Sequence, residues 1–389
     1  MDLPHNLLLY IFLIIALGIG FLLGRREQKS TKPQETVIKD YYQGLNFLLG
    51  ERPELGVDRF IQAMQVNDDS VDVHLALASV VRRRGEVDKA IRLHQNLLAS
   101  PALNASNKRV VEYELARDYH AAGLLDRAEG LLKEIVQRRD GQHPGAIELL
   151  VDLYEQEKDW AKAIEVSQKV KGDRVFGLRR SHFHCEYGEE QLAAGDLKGA
   201  LENARLAVKV EAMNPRAHWL MAEIESQQKK HKSVVKRLNK VVDMQHDLSG
   251  EVLPLFGSAC ESLGSDTEYL DYLQTNLKRR PDPRLLAALI EFRQRRGLDL
   301  DLHEVVTYIE AAPSDQHLAM LLDLLDQSDS AAQQRIRKLA KKVAHGVHGL
   351  QCRNCGFSTK VHQWQCPTCK QWGSFAHPDG VIEPTSAKS

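Results

Sequence analysis

Apolar residues recur at helical spacing along most of the chain, and glycines interrupt them at regular intervals. The repeated frame is a Gly, a small residue five positions later, and apolar residues four and seven positions beyond that. Clear copies occur at Gly85, Ala90, His94 and Leu97, at Gly123, Ala128, Leu132 and Ile135, at Gly195, Ala200, Ala204 and Ala207, and, with a larger second residue, at Gly297, Leu302, Val306 and Ile309. Because positions i, i+4 and i+7 share one helix face, each frame predicts a helix, and its Gly marks the end of the preceding helix.

Further copies of this frame fill the middle of the chain. Weaker copies begin at Lys158, Lys229, Gly264 and Gly50. From Gly85 to Gly297, successive frames lie 33–38 residues apart. A single helix pair cannot bury both of its apolar faces, so the pairs must stack. The spacing and the small-residue positions resemble the tetratricopeptide family, whose period is 34 residues. The resemblance implies an all-α superhelix of about nine helical hairpins over residues 36–347, with insertions near Asn104 and residues 174–179.

The N-terminal segment is apolar in a different way, because residues 7–23 contain no charged side chain at all. As a helix this run is about 25 Å long, which is near the lower limit for crossing a bilayer. Arg25 and Arg26 follow at once, whereas no Lys or Arg precedes it. The positive-inside rule then places the rest of the chain in the cytoplasm. We predict a transmembrane anchor at residues 1–24 and a polar linker at 25–35.

Composition and charge exclude several classes of function. The chain has 389 residues, 43% hydrophobic and 27% charged residues and a net charge of -1, as expected for an ordered protein without a general attraction to nucleic acid. Basic clusters occur at residues 82–84, 229–232, 278–280 and 293–296. Most of them fall at predicted helix C-termini, where cations interact favourably with the helix dipole, so we expect solvated helix ends. No nucleotide-binding loop, HExxH or GxSxG motif is present.

Two of the six cysteines stand alone within the repeats. Cys185 is expected about five residues into its helix, close to His182 and His184, which raises the question of a metal site. Consecutive helical residues point about 100° apart, however, so we interpret Cys185 as a packed core residue. Cys260 takes the position of a core aromatic residue in other units and is interpreted in the same way.

The other four cysteines form the pattern C-x2-C-x10-C-x2-C near the C-terminus. They are Cys352, Cys355, Cys366 and Cys369. Two such pairs on facing turns give tetrahedral coordination by four thiolates, which suits zinc or iron. We predict a metal-binding domain at residues 348–378, followed by a flexible tail at 379–389. About 30 residues cannot fold by core burial alone, so the metal must stabilise the domain.

Aromatic residues surround this motif. We expect four of them to cover the metal, namely Phe357, Trp364, Trp372 and Phe375. We also expect the domain to pack on the last helices, near residues 335–342. The Cys-Gly-Phe and Cys-Pro-x-Cys segments resemble rubredoxin knuckles, but Lys370 stands where rubredoxins carry a Gly, and the loop between the pairs is shorter. The resemblance slightly favours iron over zinc, while these departures favour a structural site over electron transfer.

The combination of anchor, repeats and knuckle closely resembles the bacterial lipopolysaccharide assembly protein B family (LapB, formerly YciM). The match includes the uncharged first helix with Arg25 and Arg26 and the four C-terminal cysteines. The resemblance implies an inner-membrane adaptor, not an enzyme, that promotes degradation of the deacetylase LpxC by the protease FtsH and so restrains lipopolysaccharide synthesis. It further implies a second inner-membrane protein that relieves this activity.

Other interpretations stay open at this stage. A general scaffold for lipopolysaccharide synthesis and transport enzymes shares the same fold. A rubredoxin-like electron-transfer protein and a membrane-tethered nucleic-acid binder are less favoured. The sequence leaves the contact residues and the oligomeric state open.

Overall fold

The computed structural model describes residues 15–18, 70–138, 143–170, 172–299, 301–311, 350–359 and 361–376. The chain divides into two compact units, Met1–Leu153 and Tyr154–Ser389. Across the described ranges, no helix combines the length and the apolar character needed to cross a bilayer. The predicted anchor, the linker, the frame at Gly50, the contact region at 335–342 and the tail lie outside the described residues, except for 15–18, which are helical and exposed.

The first unit is helical throughout its described part. Its helices are α1 (Val71–Arg83), α2 (Val87–Ala99), α3 (Ala105–Ala121), α4 (Leu125–Gln137) and α5 (Pro144–Glu157), the last of which continues into the second unit. Short turns join α1 to α2 and α3 to α4, and each of these pairs packs together. The α1/α2 pair buries Leu77, Val81 and Leu93 around the small Ala78 and Ala90.

The second unit continues the alternation of paired helices. Its helices are α6 (Trp160–Ser167), α7 (Arg174–Ala193), α8 (Leu197–Val210), α9 (Pro215–Gln227), α10 (His231–Met244), α11 (Ser249–Leu263), α12 (Asp266–Arg279), α13 (Pro283–Arg295) and α14 (Leu302–Ala311). The pairs α7/α8, α9/α10 and α11/α12 each pack together. An apolar core around Leu238, Phe256 and Leu273 runs through α9 to α14.

The turn at the start of every frame from residue 85 onward has the same backbone conformation. Its first residue has a positive φ at Gly85 (87°), Gly123 (72°), Lys158 (59°), Gly195 (83°), Lys229 (58°), Gly264 (65°) and Gly297 (63°). The small residue of the frame is fully buried in the four copies that carry alanine, at Ala90, Ala128, Ala163 and Ala200. The predicted phase of the repeat is therefore confirmed, including two copies in which Lys replaces the Gly.

The residues near 174–179 lengthen a helix instead of forming a loop. Helix α7 begins at Arg174 because the Asp173 carboxylate accepts hydrogen bonds from the backbone N–H groups of Val175 (2.8 Å) and Phe176 (3.2 Å). Cys185 consequently lies about three turns into the helix. The prediction that it lies five residues in was wrong, because capping by Asp173 moves the helix start towards the N-terminus.

The basic clusters are only partly solvated. Arg83 and Arg84 are exposed as predicted, but the Arg82 side chain is only 10% exposed. Its guanidinium contacts Asp118 at 2.7 Å and Glu114 at 2.8 Å. The prediction that Arg82 lies at a solvated helix end was wrong. Its ion-pair partners lie on α3, and the sequence of α1 alone gives no sign of them.

A small three-stranded sheet forms the C-terminal part of the second unit. The strands are β1 (Leu350–Cys352), β2 (Ser358–Thr359) and β3 (Phe375–Ala376), in the order β2-β1-β3. Both pairings are antiparallel, and the second sets Cys352 opposite Phe375. This sheet and the two cysteine turns, residues 350–376, are called the knuckle below.

Candidate metal centre and its contacts with the helices

Two tight turns of the same shape present the four cysteines. In the first, the N–H of Gly356 donates to the carbonyl of Cys352 at 2.9 Å, and in the second, the N–H of Lys370 donates to the carbonyl of Cys366 at 2.9 Å. Gly356 and Lys370 both have a left-handed backbone, with φ of 78° and 59°. Rubredoxins carry a Gly at the position of Lys370, because Gly adopts the left-handed backbone without strain. In this chain Lys370 adopts the same left-handed backbone.

The sulfur atoms converge at distances that suit one tetrahedral ion. All four lie within 4.8 Å of one another. Cys352 Sγ is 3.7 Å from Cys369 Sγ, and Cys355 Sγ is 3.6 Å from Cys366 Sγ. A tetrahedron with metal–sulfur distances of about 2.3 Å has edges of ~3.8 Å, whereas a disulfide requires about 2.05 Å. The four thiols therefore fit a zinc or iron ion in a rubredoxin-type site.

Neighbouring donors favour negative charge at this cluster. Burial opposes ionisation of Cys352, but the Ser374 hydroxyl at 3.2 Å and backbone N–H groups lower the pKa of its thiol to about 6. The Asn354 side chain, followed by the N–H of Gln371, lowers the pKa of Cys369. The N–H of Phe357 acts in the same direction on Cys355, yet burial and the neighbouring sulfurs raise its pKa to about 12 overall. Four adjacent thiols cannot all ionise without a cation, so metal binding releases protons.

The aromatic residues of the knuckle divide into two groups. Phe357 and Phe375 pack around the cysteines, with ring centroids 6.4 Å apart, as predicted. Trp364 and Trp372 instead contact the helices. For the two tryptophans the prediction that they cover the metal was wrong, because their rings pack on aromatic side chains of α7 and α9.

Trp372 is the centre of the contact between the knuckle and the helices. It is 5% exposed and stacks on His182 of α7, with ring centroids 4.8 Å apart and an interplanar angle of 16°. Its indole N–H donates to the Glu155 carboxylate at 2.9 Å, and Gln365 of the knuckle donates to the same oxygen. The edges of Phe183 and Trp160 complete the surroundings, at 6.3 and 6.5 Å. Burial of both ring faces together with a satisfied indole N–H marks a specific contact.

A buried arginine joins the two tryptophans. Arg216 of α9 has a side chain 3% exposed, and its guanidinium lies 5.7 Å from the Trp364 ring and 5.6 Å from the Trp372 ring. It makes a bidentate pair with Glu189, at 2.9 and 2.8 Å, and a further bond to Glu186 at 2.8 Å. The two carboxylates compensate the cost of burying this charge, and the tryptophan faces add cation–π attraction.

The isolated cysteines are core residues, as predicted. Cys185 and Cys260 are almost fully buried, and burial raises the pKa of both thiols to about 12. His184 is hydrogen-bonded to Asn203 at 2.9 Å, and the His182 ring stacks on Trp372. Burial and the charge of Arg216 lower the pKa of His182 to about 3, so it is neutral under Trp372.

The knuckle contacts helices that the sequence did not indicate. The described contacts lie on α5, α6, α7 and α9 and on Asp247 just before α11, whose carboxylate is 3.8 Å from the Arg353 guanidinium. The predicted contact region at 335–342 lies outside the described residues. One signal was present in the composition. The chain has only four tryptophans, at 160, 219, 364 and 372, and all four lie at this contact.

The fold and the site define a class of protein. Its members consist of paired helices of tetratricopeptide type and carry a rubredoxin-type knuckle with four thiols. Two family models agree with it. Residues 73–108 match the tetratricopeptide repeat, and residues 351–377 match the rubredoxin metal binding domain.

Curated relatives extend the similarity to almost the whole chain. Lipopolysaccharide assembly protein B of Escherichia coli strain K12 is 28% identical over 380 residues, which cover 95% of this chain and 97% of the relative. The protein of the same name from Haemophilus influenzae is 27% identical with the same coverage. A solved tetratricopeptide repeat protein from Parabacteroides merdae aligns with 70% of this chain and 99% of its own, at 11% identity and a TM-score of 0.34. The predicted resemblance to the lipopolysaccharide assembly protein B family is confirmed.

Proposed function

We propose that this protein is an inner-membrane adaptor that restrains lipopolysaccharide synthesis by promoting degradation of the deacetylase LpxC by the protease FtsH. The observation that carries the proposal is the similarity to lipopolysaccharide assembly protein B over 95% of the chain, which extends through both the repeats and the knuckle. Helical repeats bind other proteins through extended surfaces, and the metal-held knuckle adds a second surface beside them.

In this proposal the domains have separate tasks. Residues 1–24 anchor the chain, 25–35 link it, and the repeat array at 36–347 binds partners. The rubredoxin-type domain at 348–378 holds one ion through Cys352, Cys355, Cys366 and Cys369, and its resemblance to rubredoxin favours iron. Confinement to the membrane plane of the protease raises the effective concentration of the substrate, so that modest contacts suffice.

The test is the lifetime of the deacetylase in a lipopolysaccharide-producing bacterium depleted of its own copy of this protein. Expression of the full chain should shorten the half-life of LpxC, and the effect should depend on FtsH. A chain lacking residues 1–24 should fold, bind its metal and fail to shorten that half-life. An unchanged LpxC half-life with the full chain present would reject the proposal, and full activity of the truncated chain would reject the tethering step.

A general scaffold for lipopolysaccharide assembly enzymes is the second candidate, favoured by the name of the relatives. Crosslinking in cells followed by identification of the captured proteins separates the two. The adaptor predicts the protease and the deacetylase as the main captured proteins, whereas the scaffold predicts several synthesis or transport enzymes without the protease.

A further inference from the structure

A cavity of about 450 Å³ lies beside the contact between the knuckle and the helices. Its walls come from α7, α9, the start of α11 and knuckle residues 361–364. This volume falls within the roughly 300–1,000 Å³ range of ligand sites. The cavity reaches solvent, since Val361 is 68% exposed and the Glu189 side chain 39% exposed at its rim. It is separate from the four-thiol site.

Glu223 is the acidic residue of this cavity that forms no ion pair among the described residues, although the charge of Arg216 acts on it. The other two acids are paired, Glu189 with Arg216 and Glu251 with Arg284. Burial, reinforced by the charge of Glu189, raises the pKa of Glu223 to about 7, against a hydrogen bond from the Trp219 side chain. A half-buried carboxylate kept next to a second carboxylate costs folding free energy, which is typical of groups that bind a ligand.

Arg216 also lines this cavity, and its charge is held mainly by two carboxylates. Its Nε and Nη2 are bound to Glu189 and Glu186, but Nη1 is buried without a hydrogen-bond partner in the described structure. A buried donor without an acceptor costs about 1–3 kcal/mol.

Two indole rings form part of the apolar wall. Trp219 and Trp364 line the cavity, with ring centroids 5.9 Å apart at 81°. Faces of this kind attract ammonium and guanidinium groups. A divalent metal fits less well, because in the part of the chain that the structure describes only the four cysteines form a group of three or more side chains that could hold a metal ion.

We propose that this cavity binds a lysine or arginine side chain presented by a segment of a partner protein. The cationic group pairs with Glu223, and its aliphatic stem packs against Trp219 and Trp364. A lysine or arginine side chain supplies the charge and an aliphatic stem at once, whereas a free monovalent cation leaves the apolar part of the wall without a contact. The inference rests on the proposed function only in taking the ligand to be part of a protein.

The test uses the full metal-loaded chain and three short peptides. The probe is acetyl-Gly-Lys-Gly-amide, and the matched controls are the same peptide with norleucine or with acetyl-lysine, which keep the aliphatic stem without the charge. Tryptophan emission follows binding, because two of the four tryptophans line the cavity. We expect saturable binding of the lysine peptide in the millimolar range or tighter, and at least tenfold weaker binding of both controls.

Variants assign the binding to the cavity. Glu223→Gln keeps the shape of the side chain and should weaken lysine-peptide binding at least tenfold, to the level of the norleucine peptide. Glu202→Gln, on an exposed position of α8 outside the cavity, should bind like the parent protein. Equal binding of lysine and norleucine peptides, no saturable binding of the lysine peptide, or undiminished binding by Glu223→Gln with normal metal content overturns the proposal. These outcomes concern the purified protein alone, so they are independent of the LpxC half-life that tests the proposed function.

Discussion

Three lysines of the described chain hold a left-handed backbone that L-residues normally avoid. Lys158 and Lys229 do so at turns of the helical repeat, and Lys370 does so after the second cysteine pair. At each position the corresponding turn elsewhere in the chain carries a Gly, namely Gly85 for the repeats and Gly356 for the knuckle. The surrounding hydrogen bonds hold the turn in place, so the strain is local, about 1–2 kcal/mol per residue.

Replacing Lys370 by Gly should relieve this strain next to the metal. Part of the gain is lost because Gly has more freedom in the unfolded chain, which leaves a net stabilisation of roughly 0.5–1 kcal/mol. Competition with a chelator should therefore show metal held a few-fold more tightly in Lys370→Gly. Lys158→Gly relieves the same strain in the helices and should leave the chelator titration unchanged. Weaker metal retention in Lys370→Gly would show that the lysine side chain itself supports the site.

Glu223 makes a pH-dependent contribution to stability with a sign opposite to that of most carboxylates. Its folded pKa of about 7 exceeds the ordinary value of 4.5, so its protonated form is favoured in the folded protein. The contribution of Glu223 to the stability of the folded protein is therefore fully present below pH 4.5 and is lost as the pH rises through 7. Over that window the folded state loses on the order of 1–3 kcal/mol from this residue.

Glu223→Gln should remove that loss. Urea unfolding followed by tryptophan emission should show little difference from the parent protein at pH 5 and a more stable variant at pH 8. Glu202→Gln is the control for an exposed charge change. A stability difference that is the same at both pH values would contradict a raised pKa.

At the scale of elements, the sequence predicts what is local and misses what is distant. Gly or Lys at the turn, followed in four copies by a buried alanine five residues later, marks the helix pairs, because these signals act within one hairpin. The cysteine spacing defines the knuckle for the same reason. The contact between Trp372 and Glu155, by contrast, joins residues 217 positions apart, and no periodicity relates them. The sequence therefore places the tryptophans at the nearest predicted feature, the metal, and not on the helices that they contact.

Truncating Trp372 tests how the knuckle is held on the helices. Trp372→Ala removes a ring that is 5% exposed, together with its indole bond to Glu155, and should cost about 3–5 kcal/mol of contact free energy. The metal should stay bound, because Phe357 and Phe375 still pack around the cysteines. Emission of the remaining tryptophans should shift to the red, and hydrogen exchange should accelerate in α7.

Val361→Ala is the matched control for this experiment, since it truncates a knuckle residue that is 68% exposed. It should change neither the emission nor the exchange in α7. Loss of metal in Trp372→Ala would mean that metal binding and the packing of the knuckle on the helices are one cooperative process. It would contradict the separation of Phe357 and Phe375 at the cysteines from Trp364 and Trp372 at the helices.

At the scale of the whole molecule, the second unit combines two sources of stability. Its helices are held by apolar cores such as the one around Phe256, whereas the knuckle has a core of only a few side chains around its thiols. A domain of this size depends on its ion. We therefore expect the contact surface on the helices to be covered only while a bound ion holds Trp364 and Trp372 in position.

Removing the metal should therefore release the knuckle and leave the helices folded. In a variant with Cys352→Ser and Cys355→Ser, metal analysis should find no bound ion, and circular dichroism should show unchanged helix content. Tryptophan emission should shift to the red, because Trp364 and Trp372 lose the cover of α7 and α9. Ser358→Ala, an exposed change in the same knuckle, should keep the metal and the parent emission. If helix content falls together with the metal, the helices depend on the knuckle, and the ion stabilises the entire second unit.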